Sequence, residues 1–581
     1  MRAIVMRMIL QKSVQRVVSV LTVAIATLSL LVWAEGGASP APASPAGARE
    51  AVSVKLPGTA FNALETINPE HIRWHVRFLA HDLLEGRGTG QRGGDIAAEY
   101  MATQFAEYGL KPAGDNGSYL QKVPLIGITT LPETKFSLVP KRGEPIDLKS
   151  LDDYVAYDQT QQSQSDVDAD IVYVGYGIEA PEYNWNDYKD VDVKGKVLLM
   201  LVNEPPSDDP KFFKGKALTY YGRWTYKYEE AARKGAVGVI LIHVEEMASY
   251  PWEVVRNSNS GEKSYLKLEG PALKVASWVQ SEVAKKLASA SGMDFAQMLQ
   301  EARSREFHPV NLGAKLKAHM VSKVRSFESN NVLAMLPGAD SKLKSEAVLY
   351  TAHYDHLGIR PEMAGDNIYN GANDNATGCG ILLEVARAYS LSTQRPRRSI
   401  LFAAVTAEEQ GLLGSEYLGK HLPTPAGKIA LDLNYDDVPP LGAPQEVEVS
   451  GAERTTFYPW VEAMAKEFRL AIRPDSRPEA GHYYRSDHFS LARVGVPAFS
   501  INEGMKFKGH DEAWGLQQAR EFNEKHYHQP SDEYHPEMDF VADGAMARFG
   551  FALGWEAASF NQLIGWQKGD EFEAARVKSQ P

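Results

Sequence analysis

The chain has 581 residues, 44% of them hydrophobic and 23% charged, and a formal net charge of -12. That composition belongs to a globular protein rather than a disordered one, and the length exceeds one ordinary domain. The acidic balance argues against a nucleic-acid partner, which needs a basic face.

The N-terminus opens with Arg2, Arg7, Lys12 and Arg16, followed by an apolar run over residues 17–34 and small, proline-rich residues over 36–47. This is the pattern of a signal peptide over residues 1–34. It predicts an exported protein, periplasmic or secreted, with no stable membrane association after cleavage. The alternative is an uncleaved anchor, since the run approaches spanning length. Cys379 is the single cysteine. An internal disulfide is therefore excluded, and stability must come from the core.

A linker covers residues 35–68. Ile72, Trp74, Val76, Leu79 and Leu83, then Ile96, Tyr100, Met101, Phe105 and Leu110, recur at helical spacing. Between them, Glu85-Gly86-Arg87-Gly88-Thr89-Gly90 is a glycine-punctuated loop. It lacks the Lys-Ser/Thr of a phosphate loop and reads as structural. From residue 160 to about 310 the chain is β-rich with short helices. Strands are expected at 171–174, 197–202 and 237–242, with a helix ending at the glycine stop Gly235. From Glu346 onward strands and helices alternate. That pattern predicts a mixed, mainly parallel α/β sheet flanked by helices.

Polar residues that can hold metal follow the apolar runs of this last part. Residues 349–352 lead into His353-Tyr354-Asp355, residues 400–405 precede Glu408-Glu409, and residues 429–431 lead into Asn434-Tyr435-Asp436. Strand ends are where ligands gather in open α/β sheets. Histidine is a natural zinc ligand, and a nearby carboxylate can fix its tautomer. Asp374, in Asn373-Asp374-Asn375, suits either a helix-capping turn or a carboxylate that bridges two metals. Adjacent Glu408 and Glu409 point in different directions, so one can ligate while the other faces water. An acidic first helical turn is the bland alternative. Tyr527-His528, in a polar loop, is ordinary when taken alone.

Taken in order, these segments resemble the zinc-dependent peptidases of the M28 type, the aminopeptidase and glutamate-carboxypeptidase-like group. The motifs are His-x-Asp, Gly-Ala-x-Asp-Asn, Glu-Glu-x-Gly-Leu-Leu-Gly-Ser, Asn-x-Asp, Ser-Asp-His and Tyr-His. The resemblance divides the chain into a first peptidase part at 69–159, an inserted PA-like domain at 160–310, the metal-binding peptidase part at 311–570 and a tail at 571–581. It implies a two-zinc centre, with His353 and Asp436 on one ion, Glu409 and His528 on the other, and Asp374 between them. Manganese or cobalt are substitutes that a carboxylate-rich set also accepts. Glu408 is implied as general base, Asp355 as the residue that orients His353, and Tyr527 as an oxyanion donor. Arg485 is implied near the substrate, and a cis peptide is implied between Asp374 and Asn375.

The expected function is therefore exopeptidase action on peptide substrates, with removal of N-terminal residues as the first reading. Glu503, after the apolar run 496–501, is a candidate anchor for the substrate amine. A glutamate-carboxypeptidase-like enzyme is the alternative, with Arg485 facing an α-carboxylate. A non-catalytic receptor-like module fits poorly, because every ligand position is intact. A one-zinc glutaminyl cyclase on the same fold is disfavoured by the insertion.

Overall fold

The structure, a computed structural model, describes residues 54–580 apart from Asp190, Ser249, Glu362, Ser476 and Arg477. The signal-peptide reading of residues 1–34 lies outside the described residues. Among the described residues no helix is long and apolar enough to cross a membrane.

The helical spacing near the start folds as α1 (Pro69–Leu79) and α2 (Arg92–Glu107). Asn68 caps α1 by accepting from the Glu70 amide, with Pro69 at the first helical position, the usual chemistry of a helix start. After β1 (Leu120–Thr130) and β2 (Lys135–Pro140) come β3 (Tyr154–Tyr157), β4 (Gln164–Tyr173) and β5 (Val197–Leu201). Helix α3 (Trp224–Arg233) stops at Gly235, whose φ is 77°, a left-handed value that glycine adopts freely. Strands β6 (Gly238–His243), β7 (Lys263–Leu266) and β8 (Val275–Gln280) follow. The 27-residue strand β9 (Val310–Leu336) then runs through two sheets.

One sheet lies around the residues between β2 and β8. Strands β4, β5, β6 and β8 are parallel neighbours. Strand β3 joins the β8 edge antiparallel, and β9 joins the β4 edge antiparallel. The other sheet takes the second half of β9. It is completed by β10 (Ala347–His353), β11 (Ser399–Val405), β12 (Ile429–Asn434) and, at the edge, β14 (Ala498–Ser500). Those four strands are parallel, in the order β14-β12-β10-β11. Strands β9, β1 and β7 continue it antiparallel. The expected mixed sheet, parallel at its centre and flanked by helices, is thus what forms.

Both faces of the parallel part are covered, so its three inner strands β10, β11 and β12 are buried at every position, as continuous apolar strands require. Side chains alternate between the faces. Leu349 and Leu401 point to one side, where they meet Leu333, Leu418 of α5 (Leu413–Lys420) and Leu491 of α6 (His488–Arg493). Tyr350 and Phe402 point to the other and stack at 5.5 Å. There Tyr350 donates to the Gly550 carbonyl of α7 (Val541–Ser559) at 2.9 Å, and Tyr389 of α4 (Gly378–Leu391) lies against Trp555. Helix α4 begins only at Gly378, because residues Ala372–Thr377 form an irregular wide turn ahead of it.

Leu401 is fully buried in this core. Leu401→Ala should lower the unfolding free energy by about 2–5 kcal/mol, read as a fall in the urea midpoint at unchanged slope. Truncating Val577, which is 69% exposed, should leave the midpoint where it is.

Candidate metal centre

Parallel pairing puts the C-terminal ends of β10, β11 and β12 on one edge. His353 is the last residue of β10, Glu408 and Glu409 follow β11, and Asp436 follows β12. The turn that carries both glutamates is bracketed by Ala407 and Leu412, at φ 56° and 63°, left-handed values uncommon outside glycine. Asp374 arrives from the irregular turn ahead of α4. The peptide between Asp374 and Asn375 is cis, as the resemblance implies.

Asp374 stands in the middle. Its Oδ1 lies 3.3 Å from His353 Nε2, and its Oδ2 lies 3.2 Å from His528 Nε2. Each imidazole faces a second carboxylate. His353 Nε2 is 3.1 Å from Asp436 Oδ1, and His528 Nε2 is 3.1 Å from Glu409 Oε2. The side chains of His353 and Asp374 are 1% and 5% exposed. Burial alone would disfavour an imidazolium at His353, but Asp436, Glu408 and Asp374 outweigh it and raise the pKa well above its ordinary value. The pocket demands positive charge. Burial also pushes Glu408 well above the usual carboxylate range, with Glu409, Asp436 and Asp487 adding to the effect and His353 opposing it.

The proton on His353 can be placed. Its Nδ1 is 3.1 Å from the backbone carbonyl of Asp355. A carbonyl only accepts, so Nδ1 carries hydrogen and Nε2 is left for the cluster. The Asp355 carboxylate is farther from Nδ1, at 3.8 Å. It is occupied otherwise, accepting from Thr89 Oγ1 at 2.9 Å and from the Glu408 amide at 3.1 Å. Asp355 therefore turns His353 through its main chain and holds the Glu408 loop through its side chain. Burial raises that carboxyl to about 6.

Several further contributors are residues to which the sequence assigned no role at the centre. His356 is fully buried, and its Nδ1 comes within 2.6 Å of Glu409 Oε1. Neither atom makes a hydrogen bond. Two lone-pair atoms that close, neither hydrogen-bonded, could hold one ion between them. His356, Asp374 and Glu409 form one such group, and His353, Asp374 and Asp436 form the other. Arg87, in the glycine loop, is fully buried. It donates to the carbonyls of Leu79, Tyr354, Asn370 and Gly371 at 2.6–2.8 Å. Asp532 accepts from the amides of Asn373 and Asp374 at 3.0–3.2 Å. Ser486 donates to Asp436 Oδ2 at 2.5 Å, and Asn502 donates to the carbonyls of Asp436 and Asp437. Cys379, buried and unpaired, donates its thiol to the His353 carbonyl at 3.1 Å. Lys263 of β7 is close enough to Glu409 for their charges to interact, and burial lowers its pKa.

Of the remaining candidates, Tyr527 stacks on the His528 ring at 3.9 Å and is 40% exposed, at the rim of the cluster. Arg485 bonds the Ala480 carbonyl at 2.7 Å and lines a neighbouring cleft. Glu503 is not brought to the cluster. On strand β15 (Asn502–Glu503), paired with β13 (Glu446–Glu448), successive side chains leave opposite faces. Asn502 takes the face toward the Asp436 loop. Glu503 goes to the other, where burial, with Asp543 and Glu448 as acidic neighbours, raises its pKa well above the ordinary range.

Imidazole nitrogens and carboxylate oxygens converging from several elements are the donors of a zinc site. The chemistry of the set fits that ion: the buried negative charge needs cations, and both ring nitrogens of His356 and the Glu409 oxygen facing it are buried without a hydrogen bond. Residues 331–549, which include the whole cluster, match the model of peptidase family M28. The resemblance expected from the sequence is borne out over that segment. Over 164 residues the chain is 30% identical to a probable zinc metalloprotease of Pyrenophora tritici-repentis, covering 28% of this chain and 29% of that one. Leupeptin-inactivating enzyme 1 of Streptomyces exfoliatus is 30% identical over 220 residues, 36% of this chain and 48% of the relative. Aminopeptidase YwaD of Bacillus subtilis is 28% identical over 189 residues, 32% and 36% of the two chains. The chain thus spans less than half the length of these curated relatives. Among solved structures, an aminopeptidase from Aneurinibacillus sp. strain AM-1 aligns over 87% of this chain and 97% of that one, with 18% identity and a TM-score of 0.48.

Thr89 ties the glycine loop to Asp355 and, through it, to the orientation of His353 and Glu408. Thr89→Val should weaken zinc binding by roughly 10–100-fold, measured by competition with a chromogenic chelator. Unaltered affinity would separate that loop from the centre.

Proposed function

We propose that this chain is an exported two-zinc exopeptidase that removes N-terminal residues from peptides. The observation that carries the reading is the division of Asp374. One oxygen faces His353 and Asp436, and the other faces His528 and Glu409. A single carboxylate shared in that way suits two ions, and His356 adds a further nitrogen on the Glu409 side. When bound, zinc supplies Lewis acidity toward the scissile carbonyl and lowers the pKa of water.

The chain's own groups do the rest. Glu408 is the carboxylate at the cluster not needed as a ligand, and its main chain is fixed by Asp355. It takes the proton of the attacking water and returns it to the leaving amine, a role worth roughly 10²–10⁴ in rate. Burial and acidic neighbours favour its protonated form, which suits the second half of that cycle. Tyr527, held flat against His528, offers its hydroxyl to the oxyanion. One such donor contributes about 3–4 kcal/mol. With Glu503 on the far face, Glu408 remains the carboxylate placed to meet a substrate ammonium. The Bacillus subtilis relative is an aminopeptidase by name, and we extend that activity to this chain. The N-terminal charged and apolar pattern supports export.

Two measurements test the proposal. Protein purified without chelator should hold close to two equivalents of zinc and lose activity when they are stripped. Glu408→Gln should keep both ions while kcat falls by roughly 10²–10⁴. Loss of an ion in that variant would exchange the roles of Glu408 and Glu409. Full activity in the metal-free protein would end the reading, and efficient cleavage of N-acetylated peptides would turn it toward a carboxypeptidase.

A further inference from the structure

A cleft beside the centre is walled by two parts of the chain. Leu218, Arg223 and Tyr250 come from the segment between β5 and β7, and Glu479, Ala480 and Arg485 come from the peptidase part. Two arginines thus enter one narrow space. Neither guanidinium has an ion-pair partner among the described residues. The single side-chain bond of Arg485 runs to the Ala480 carbonyl, and Glu479, the one carboxylate on the walls, is exposed. The two cations sense each other. Burial first, and Arg485 next, lower the Arg223 pKa to about 10, so Arg223 remains charged at neutral pH.

The wall is built, not incidental. The turn before Arg223 is pinned from both sides: the Leu218 amide donates to the Pro478 carbonyl at 2.9 Å, and the Asn203 amide donates to the Gly222 carbonyl at 3.1 Å. Tyr220 packs on Phe489 at 5.0 Å and on Tyr484 at 6.2 Å. The cleft also adjoins the reacting groups. Arg485 precedes Ser486, which bonds Asp436. Tyr527, stacked on His528, is near enough to Arg223 for charge interaction.

Arg223 is half-buried and Arg485 exposed, and a like charge beside a half-buried guanidinium is costly until an anion joins the pair. A planar guanidinium fork matches a carboxylate in two parallel bonds. We propose that Arg223 and Arg485 form a subsite for a substrate carboxylate, so that the enzyme selects short peptides whose free C-terminus reaches the cleft. This rests on the exopeptidase reading of the metal centre. An aspartate or glutamate side chain near the scissile bond offers the same chemistry, and the test separates the two sources.

The experiment uses the zinc-replete full chain and three tripeptides with the same N-terminal residue: one with a free C-terminus, its C-terminal amide, and an amide carrying glutamate at the second or third position. The wild type should cleave the free acid with kcat/KM roughly 10–100-fold above the plain amide, the worth of one or two charge-assisted bonds. In Arg223→Gln that ratio should collapse toward one, and Arg223→Lys should restore part of it. The loss should fall on KM for the acid more than on kcat. Recovery by the glutamate amide alone, with no preference for the free acid, assigns the subsite to an acidic side chain and overturns the C-terminal selection. Equal cleavage of all three by wild-type enzyme overturns the subsite and leaves the peptidase intact, an outcome that needs no variant to fold. A chain that binds no zinc and cleaves none of them removes the peptidase reading and the subsite with it.

Discussion

The concentration of carboxylates around Asp374 is the constraint that the surrounding structure answers. Asp374, Asp436, Glu408 and Glu409 converge on one buried edge of the sheet, with Asp437, Asp487 and Asp532 close behind. Negative charge so concentrated would drive the strand ends apart unless cations sat among them and the main chain were fixed independently. The structure provides for both. Imidazole nitrogens of His353, His356 and His528 reach the cluster from separate segments as donors for such cations. The backbone is held by bonds that involve no ligand atom of the cluster: Arg87 to four carbonyls, Asp532 to two amides, and Asn502 to the Asp436 turn. The ligands are placed by a scaffold that would stand without them, which is what preorganisation requires.

The two sheets have different relations to that edge. The parallel strands deliver the ligands, because parallel pairing gathers their C-terminal ends. The other sheet supplies the surroundings. Between its strands β6 and β8 the chain crosses over as β7, which pairs with β1 in the ligand-bearing sheet and carries Lys263 toward Glu409, while the turn before α3 brings Arg223 against Arg485. Acidic groups thus dominate the interior of the site, and unpaired basic groups stand on its approaches. A peptide, with an ammonium at one end and a carboxylate at the other, has a direction in such a field.

Much of this was legible in the sequence. Apolar runs ending in His, Glu or Asp mark strands that stop at a functional edge, and β10, β11 and β12 form where those runs lie. What escaped was decided by contacts distant in sequence. Arg87 and Thr89 sit in a glycine-rich loop whose partners lie some 270 residues away, so nothing local marks them. His356 directly follows a recognised motif, but only the fold shows that it turns to Glu409. Glu503 fails for a simpler reason. A strand presents alternate residues to opposite faces, and composition cannot say which face β15 gives to the site. Asn502 holds the inward position.

The 27-residue strand β9 pairs with β11 and β1 at one end and with β4 and β2 at the other. A backbone ladder that continuous leaves no hinge between the sheets, so the second sheet cannot swing aside as a door. On the exopeptidase reading, the space over the reacting edge would then keep a set width, and size exclusion would act by a ruler rather than a gate: loose chain ends would thread in, and folded surfaces would be stopped by backbone that does not yield.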